Sequence, residues 1–504
     1  MTDFSYAQFL ADDERAHQRA IVKARHYHDG RQPVELTDRL REFLGIDLPR
    51  SQYVGGMFDD RSFSPFVMNV ARIVVSAITE RLLVSGIDTD EPKEANGQPL
   101  TTPVADWAWH VWLENRMDAR QDEVHTGATR DGEYFVIVDW NADDDEPGPR
   151  FTPHPRYTDP QNQVHGDGFG CKMFYADDDD SCEALFATKR WTSVTIDAKG
   201  KRTSEQRLNI YYPDRIVQQV YRGGAPIEYA PDIPWVDAQG KPLGIAVKHV
   251  KNADLRCEAW DAFPLQDALN KTLVDLIASA DVTAFRILFA KGFYPTDDGL
   301  APSADASNAL KLAPGAILWS LNPAAGLDAL EPADLGQLVD LAQNLVLWIA
   351  QVTDTPLSRF LATRHVAAEG TLKQQEGPLL GKIRKRQTLF GNAWEDCFEL
   401  ALKLANLYGN AGLDETVDFS TRWETAETRD DLAEAQRLQL EQTLGVPEEF
   451  IWAKLGYSPT EITTMRDMKD AAALKAMEAQ QALIAAKPAP VMPMAMAMNG
   501  KGMN

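Results

Sequence analysis

Three long stretches with helix-forming patterns, set apart by a turn-rich insert and a linker, constrain this chain more than any other feature. The first, Leu265–Lys291, contains neither Gly nor Pro, and at 1.5 Å per residue it predicts a helix of about 40 Å. Leu265, Leu269, Leu273, Leu276, Ile277, Ala280, Phe285, Ile287 and Leu288 give it apolar side chains on more than one side. Such a helix needs neighbours around most of its circumference. Residues 294–332 follow, rich in Pro, Gly and Asp, with one strand-like run at Ala316–Ser320. A second helix is predicted over Ala333–Thr353, ending before Pro356. A third runs from Thr371 to Leu407 and closes at Gly409, with Pro378 as a candidate for its true start. Two arrangements would cover the first helix: other parts of the same chain, or a closed ring in which each subunit's helix packs on the next.

The remaining segments predict an α+β chain that is mainly helical. Ala11–Tyr27 and Glu35–Phe43 read as amphipathic helices. Ser64 and Pro65 form an N-cap with proline at N1, and Val67, Val70, Ile73, Val74, Ile78 and Leu82 then recur at helical spacing up to Gly86. Asp106–Ala128 reads as one helix, with Trp107, Trp109 and Trp112 near its start. From Glu133 the pattern becomes that of strands: EYFVIVDW, ending in the turn run NADDDEPGP, then Lys172–Tyr175, Glu183–Thr188, Ser193–Ile196, Leu208–Tyr212, Ile216–Tyr221 and Ile245–His249. Residues 51–260 are therefore expected to form one unit with an antiparallel sheet. VDFSTRW reads as a lone strand. Thr428 with Asp431, and Ser458 with Pro459 and Glu461, mark two further helix starts, and the methionine-rich end has the composition of a disordered tail.

Composition narrows the chemistry. With 51 Lys+Arg against 75 Asp+Glu the formal charge is −24, which argues against a free, high-affinity nucleic-acid binder. It does not argue against contact with DNA that must slide. Four cysteines (Cys171, Cys182, Cys257, Cys397) include no C-x-x-C pair, so neither a disulfide framework nor a zinc knuckle is expected. No signal-peptide pattern and no membrane-spanning run is present, which is the expectation for a chain in a reducing cytosol.

No G-x-x-x-x-G-K-[ST], G-x-S-x-G or H-E-x-x-H motif occurs. Gly166, Gly168 and Gly170 follow no apolar strand and read as a turn. Asp139, Asn141 and Asp143 begin like a calcium loop, but Asp144 and Arg150 stand where Gly and Glu are needed. Asp177–Asp180 reads as a solvated turn, with a divalent-metal site as the sharper alternative. Lys382, Arg384, Lys385 and Arg386 read as a charged helix face or subunit contact, with phosphate binding as the alternative. Catalytic residues, metal ligands and cofactors are not expected.

Four runs resemble a known family. FVMNVARIVVSAITERLLVSGI, TRDGEYFVIVDW, PLGIAVKHVKN with PLQDALNKTLVDLIASADVTAFRILFAKGF, and TDTPLSRF with AAEGTLKQQEGPLLGKIRKRQTLFGNAW are similar, in order and spacing over roughly residues 20–430, to portal proteins of tailed bacteriophages, the long-tailed type of about 500 residues. The most specific pieces are Gln266–Lys271 and the Thr353–Pro356 turn preceding Leu372–Glu376.

The resemblance implies a twelve-subunit ring at one capsid vertex, assembled in the host bacterial cytoplasm and threaded non-specifically by double-stranded DNA. It implies a wing (1–260 with 371–427), a stem (helices 261–293 and 333–356), a clip (294–332), a tunnel loop (357–370), a crown (428–481) and a tail (482–504). Its implied partners are the terminase large subunit, head-completion and tail adaptors, and the major capsid and scaffolding proteins. Arg359, Arg364 and His365 are then DNA-contact candidates, with a solvent-exposed basic loop as the alternative. Asp297, Asp298, Lys311, Trp319 and Asp328 are clip-contact candidates. Leu269, Leu273, Leu276, Ile277, Leu345 and Trp348 are stem-packing candidates. A neutral stretch fits a conduit: residues 333–409 carry eight acids and eight bases. The alternatives left open are another virion structural protein and a metal-dependent hydrolase.

Overall fold

Helices open the chain, antiparallel sheets follow, and long helices return to cover them. The computed structural model describes residues 12–31, 67–91, 103–142, 147–157, 170–176, 183–196, 202–222, 225–284, 334–360, 369–427 and 431–454, short stretches at 94–95, 98–99, 288–291 and 326–329, and isolated positions between 462 and 477. The chain divides into two units, Met1–Ala426 and Glu427–Asn504.

In the first unit α1 is Asp12–Asp29 and α2 is Ala71–Thr79, followed by β1 (Val84–Thr89) and the short β2 (Glu94–Ala95) and β3 (Gln98–Pro99). Next come α3 (Pro103–Glu114), α4 (Met117–Asp131), β4 (Glu133–Asn141), β5 (Gly148–Pro155), β6 (Cys171–Tyr175), β7 (Ala184–Ile196), β8 (Arg202–Tyr211), β9 (Arg215–Arg222), β10 (Ala225–Glu228), β11 (Ile233–Pro234) and β12 (Val247–Lys251). The unit closes with α5 (Phe263–Ala284), β13 (Leu288–Lys291), β14 (Gly326–Ala329), α6 (Leu335–Val352), α7 (Glu369–Gly409) and β15 (Phe419–Trp423). The second unit contains α8 (Asp431–Thr443), where Leu438 is buried, and α9 (Glu448–Lys454), where Ile451 is buried.

Several expectations need correction, each for a tertiary reason. Among the described residues, the helix expected from Ser64 to Gly86 is helical only over α2, and its C-terminal part is β1. Val84, Ile87 and Thr89 suit either state, and pairing with β15 decides for strand. For the same reason the strand expected to stand alone is half of a two-stranded sheet.

The helix expected over Asp106–Ala128 is two. Arg116 adopts φ +53°, in the left-handed region. The cause lies next door: Asn115 Nδ2 donates to the Val111 and Pro149 carbonyls at 2.9 Å each, and its Oδ1 accepts from Phe151 N at 2.8 Å. These bonds tie the helix junction to β5.

No strand is expected between the turn run that ends at Pro149 and Lys172, yet Gly148–Pro155, with Pro149, Pro153 and Pro155, forms β5. It is an edge strand in the order β12-β4-β5. Phe151 N points away from β4, towards Asn115, and alternation gives the three prolines that same outward orientation, where no ladder N–H is needed.

Glu183–Thr188 and Ser193–Ile196 are one continuous strand, β7, laddered to β8 from Ala187 to Ile196. The antiparallel strands therefore form more than the one sheet expected, the larger in the order β10-β9-β8-β7-β6 with β11 also on β9. Among the described residues the helix expected over 261–293 covers Phe263–Ala284, and Leu288–Lys291 is instead a strand paired antiparallel with Gly326–Ala329. Pro378 does not start the third long helix but lies inside it. The predictions for Glu35–Phe43, Ser64–Pro65, Ala316–Ser320, Ser458–Glu461 and the tail fall outside the described residues.

The main core joins α3, α4, the β12-β4-β5 sheet, the β1-β15 pair and the middle of α7. Trp112 and Trp394 are fully buried and meet edge-to-face at 5.0 Å. Between them and Leu82 sits His125, also fully buried. Its Nδ1 donates to the Leu82 carbonyl at 2.8 Å, and its Nε2 accepts from Trp394 Nε1 at 3.0 Å. Those two partners define one neutral tautomer.

Burial pushes the His125 pKa down to about 4 against an ordinary 6.5. The unfolded chain then takes up a proton that the folded chain refuses, so the stabilisation is complete above pH 6.5 and falls as pH drops towards 4. The expected loss is about 3 kcal/mol by pH 4. Urea midpoints of wild type and His125→Gln across pH 7 to 4 check it: wild type should show the steeper decline, and parallel declines would contradict it.

Candidate functional site

The helix pair α5–α6 and the turn after it gather the residues that the sequence marked as most distinctive. A second apolar cluster holds the pair against α1 and α2, through Tyr27, Val70, Val74, Phe263, Leu269, Leu345, Val346 and Ile349. Of the stem-packing candidates, Leu269 and Leu345 are buried, and Leu273 packs on this cluster half-buried. Leu276 and Ile277 are half-buried. Trp348 is 45% exposed.

Gln266–Lys271 is a polar hub inside that apolar contact. Gln266 and Asn270 are fully buried. Gln266 Oε1 accepts from Ala71 N at 2.8 Å, and its Nε2 donates to the Met68 carbonyl at 3.2 Å. Asn270 Oδ1 accepts from Met68 N at 2.9 Å. The two side chains thereby satisfy backbone groups of Met68, just before α2, and of Ala71, in its first turn, where no intrahelical partner is available. One turn over, Tyr27 Oη donates to Asp267 Oδ2 at 2.6 Å and stacks on Phe263 at 4.2 Å. Gln266→Ala should cost about 1–3 kcal/mol in urea unfolding, because it strands the buried Ala71 N–H in the interior. A loss under 0.5 kcal/mol, by the same scale, would show that water replaces it.

The Thr353–Pro356 turn is held from two directions. Thr353 Oγ1 donates to the Ile349 carbonyl at 2.7 Å, and Asp354 takes φ +52°. From α7, Lys382 Nζ donates to the Thr353 carbonyl at 2.9 Å and lies 3.6 Å from Glu258. Arg386 Nε donates to Glu258 Oε1 at 2.6 Å, and the Glu258 and Arg386 side chains are only 5% and 8% exposed. The basic cluster is thus divided by helical periodicity. Lys382 and Arg386 face inward onto Glu258, while Arg384 and Lys385 are exposed. Nothing in the sequence singled out Glu258.

Arg359 ends the short turn Leu357–Arg359, and its guanidinium pairs with Glu80 at the end of α2. Asp328 lies on β14 opposite Phe289. Arg364, His365, Asp297, Asp298, Lys311 and Trp319 lie outside the described residues.

Two buried carboxylates on either side of Gly132 went unnoticed in the sequence. Asp131 accepts from Arg25 at 2.6 Å and Arg130 at 2.7 Å. Glu133 meets His17 at 2.8 Å, His249 at 2.8 Å and Arg156 at 3.1 Å. Burial raises the Glu133 pKa, but the two histidines and Arg156 outweigh it and hold the carboxyl well below its ordinary range. These contacts fasten α1 to the sheet, which is a structural task. Asp139 pairs with Arg150 at 3.4 Å, and burial pushes its carboxyl up. Among the described residues no three His, Cys, Asp or Glu side chains converge as a metal site, and no helix is long and apolar enough to cross a membrane. Asp177–Asp180 lies outside them.

The family described as "Phage portal protein, SPP1 Gp6-like" matches residues 64–481. The chain is 21% identical over 420 residues to the portal protein of Mycobacterium phage D29, covering 78% of this chain and 77% of that one. A chain from the virion of a native gene transfer agent particle aligns over 77% of this chain and 89% of its own, at 12% identity and a TM-score of 0.34. The family match takes in the Gln266–Lys271 hub, the Glu258 clamp and nearly all the described elements, and on that basis this chain belongs to the phage portal proteins of the SPP1 Gp6-like family, structural components of phage particles.

Proposed function

We propose that the chain is the subunit of a closed ring, twelve copies around an open axis, that forms the conduit for double-stranded DNA at a unique capsid vertex during packaging and ejection. The observation that carries this reading is on α6. Its inner side buries Leu345, Val346, Ile349 and Ala350, while Leu341, Trp348 and Val352, seven and four residues apart, are 41%, 45% and 50% exposed. A stripe of that composition on a long helix calls for a partner, and a neighbouring copy supplies one in a ring that closes.

In this reading α5 and α6 are the stem. Residues 294–332 are the clip, which docks the terminase and later the tail adaptors. Residues 357–370 are the tunnel loop, 1–260 with 371–427 the wing, and 428–481 the crown. The chain has no catalytic task, and ATP hydrolysis belongs to the docked motor. DNA carries one charge per roughly 1.7 Å and is held wherever basic contacts release many counterions. Walls that are acidic or neutral leave it free to slide, and twelve copies of a chain of net charge −24 supply that field.

The test is the mass of the purified protein and its image in negative stain. A dodecamer-sized species with a central hole supports the ring, and a monodisperse monomer at every concentration rejects it. Deleting 294–332 should leave rings that no longer bind terminase, which separates this reading from an adaptor or minor capsid role.

A further inference from the structure

Glu80 and Arg81 are consecutive residues of opposite charge at the C-terminal end of α2, and each reaches a different end of the linker between α6 and α7. Glu80 pairs with Arg359, in the first half of the linker. Arg81 Nη2 donates to Glu376 Oε1, which follows it, at 2.9 Å. Further out, the Glu258 clamp holds the Thr353–Pro356 turn on the one flank.

These contacts differ in one respect that matters. The Arg81 and Glu376 side chains are 17% and 19% exposed, and those of Glu258 and Arg386 are 5% and 8% exposed. Arg359 and Glu80 are 35% and 55% exposed. Well-buried pairs are costly to break, whereas a pair in contact with water contributes little net stability and its partners exchange readily. The anchoring is therefore done by the first two, and the third is free to change partners.

We propose that Glu80 is an internal counterion that occupies Arg359 and keeps it from holding passing DNA phosphate. The inference rests on the reading of the chain as a DNA conduit and assigns a specific residue to its slippery wall. An arginine already neutralised by a carboxylate releases no counterion when a phosphate approaches, so it adds nothing to the salt-dependent part of DNA affinity. Glu80 must be displaced before Arg359 can contact phosphate, and its high local concentration restores the pair once the phosphate moves on. Because the acid sits on α2 and the base on the 357–359 turn, the pair forms only when both elements are in place.

Assembled Glu80→Gln, Arg359→Gln and the Glu80→Gln/Arg359→Gln double variant, titrated with labelled double-stranded DNA at several salt concentrations, test the proposal. Glu80→Gln should bind about tenfold tighter near 0.1 M salt, with a log–log salt slope steeper by about 1 for each phosphate reached. The double variant should lose that gain. Arg81→Gln should lower thermal stability without tightening DNA binding. Glu80→Gln rings indistinguishable from wild type, or a gain that persists in the double variant, would overturn the proposal while leaving the ring intact. Absence of rings in the wild type would overturn the conduit reading and this proposal with it.

Discussion

Trp348→Asp is expected to give a folded subunit that no longer assembles. The indole is 45% exposed in the single chain, so replacing it removes little from the subunit's own packing. In a ring each copy of α6 would present Leu341, Trp348 and Val352 to its neighbour, and a charge at the centre of that stripe would be desolvated without a partner. Removing a tryptophan anchor from an interface typically costs at least 2 kcal/mol, about thirtyfold in affinity at each contact. Light scattering at micromolar concentration should therefore report a single-subunit mass with unchanged far-ultraviolet circular dichroism. Rings of wild-type mass would show that the stripe faces something other than a second copy.

Glu258→Ala is expected to be the most destabilising substitution of a charged residue near the linker. It leaves Arg386 buried without its carboxylate and withdraws the nearer acid from Lys382, which also holds the Thr353 carbonyl. Breaking one partner out of a buried pair costs roughly 3–5 kcal/mol. The turn between α6 and the linker should loosen at the same time, visible as faster amide exchange at Thr353 and Thr355, which bond back to the Ile349 and Ala350 carbonyls. Glu258→Leu combined with Arg386→Met should recover most of the stability, because two apolar side chains of similar volume need no counterion. A loss of less than 1 kcal/mol in the single variant, far under that range, would mean that water already reaches the pair.

The hydrophobic period made the long helices readable. α6 and α7 begin and end within two residues of the predicted limits, and the Gly409 stop holds. β4, β6, β8 and β9 were legible because β-branched and aromatic residues crowd between turn residues. Gln266–Lys271 was legible as a distinctive string, but its work was not. Only the structure shows Gln266 and Asn270 serving the backbone of residues 68 to 71, some 200 positions earlier. Glu258 carried no signal, since a single acid in a loop looks the same whether it is solvated or buried against Arg386.

The sequence by itself determined which stretches are rods, where the turn-rich insert interrupts them, and that acid outweighs base. Those properties follow from local periodicity and composition, which a chain carries whatever its neighbours are. The tertiary structure decided the rest: that 84–89 and 288–291 are strands, that the helix pair α3–α4 breaks at Asn115, and that Lys382 and Arg386 turn inward while their neighbours do not. Each of these is settled by a partner distant in the chain, and a run of residues compatible with two states takes the one whose hydrogen bonds and charges that partner completes.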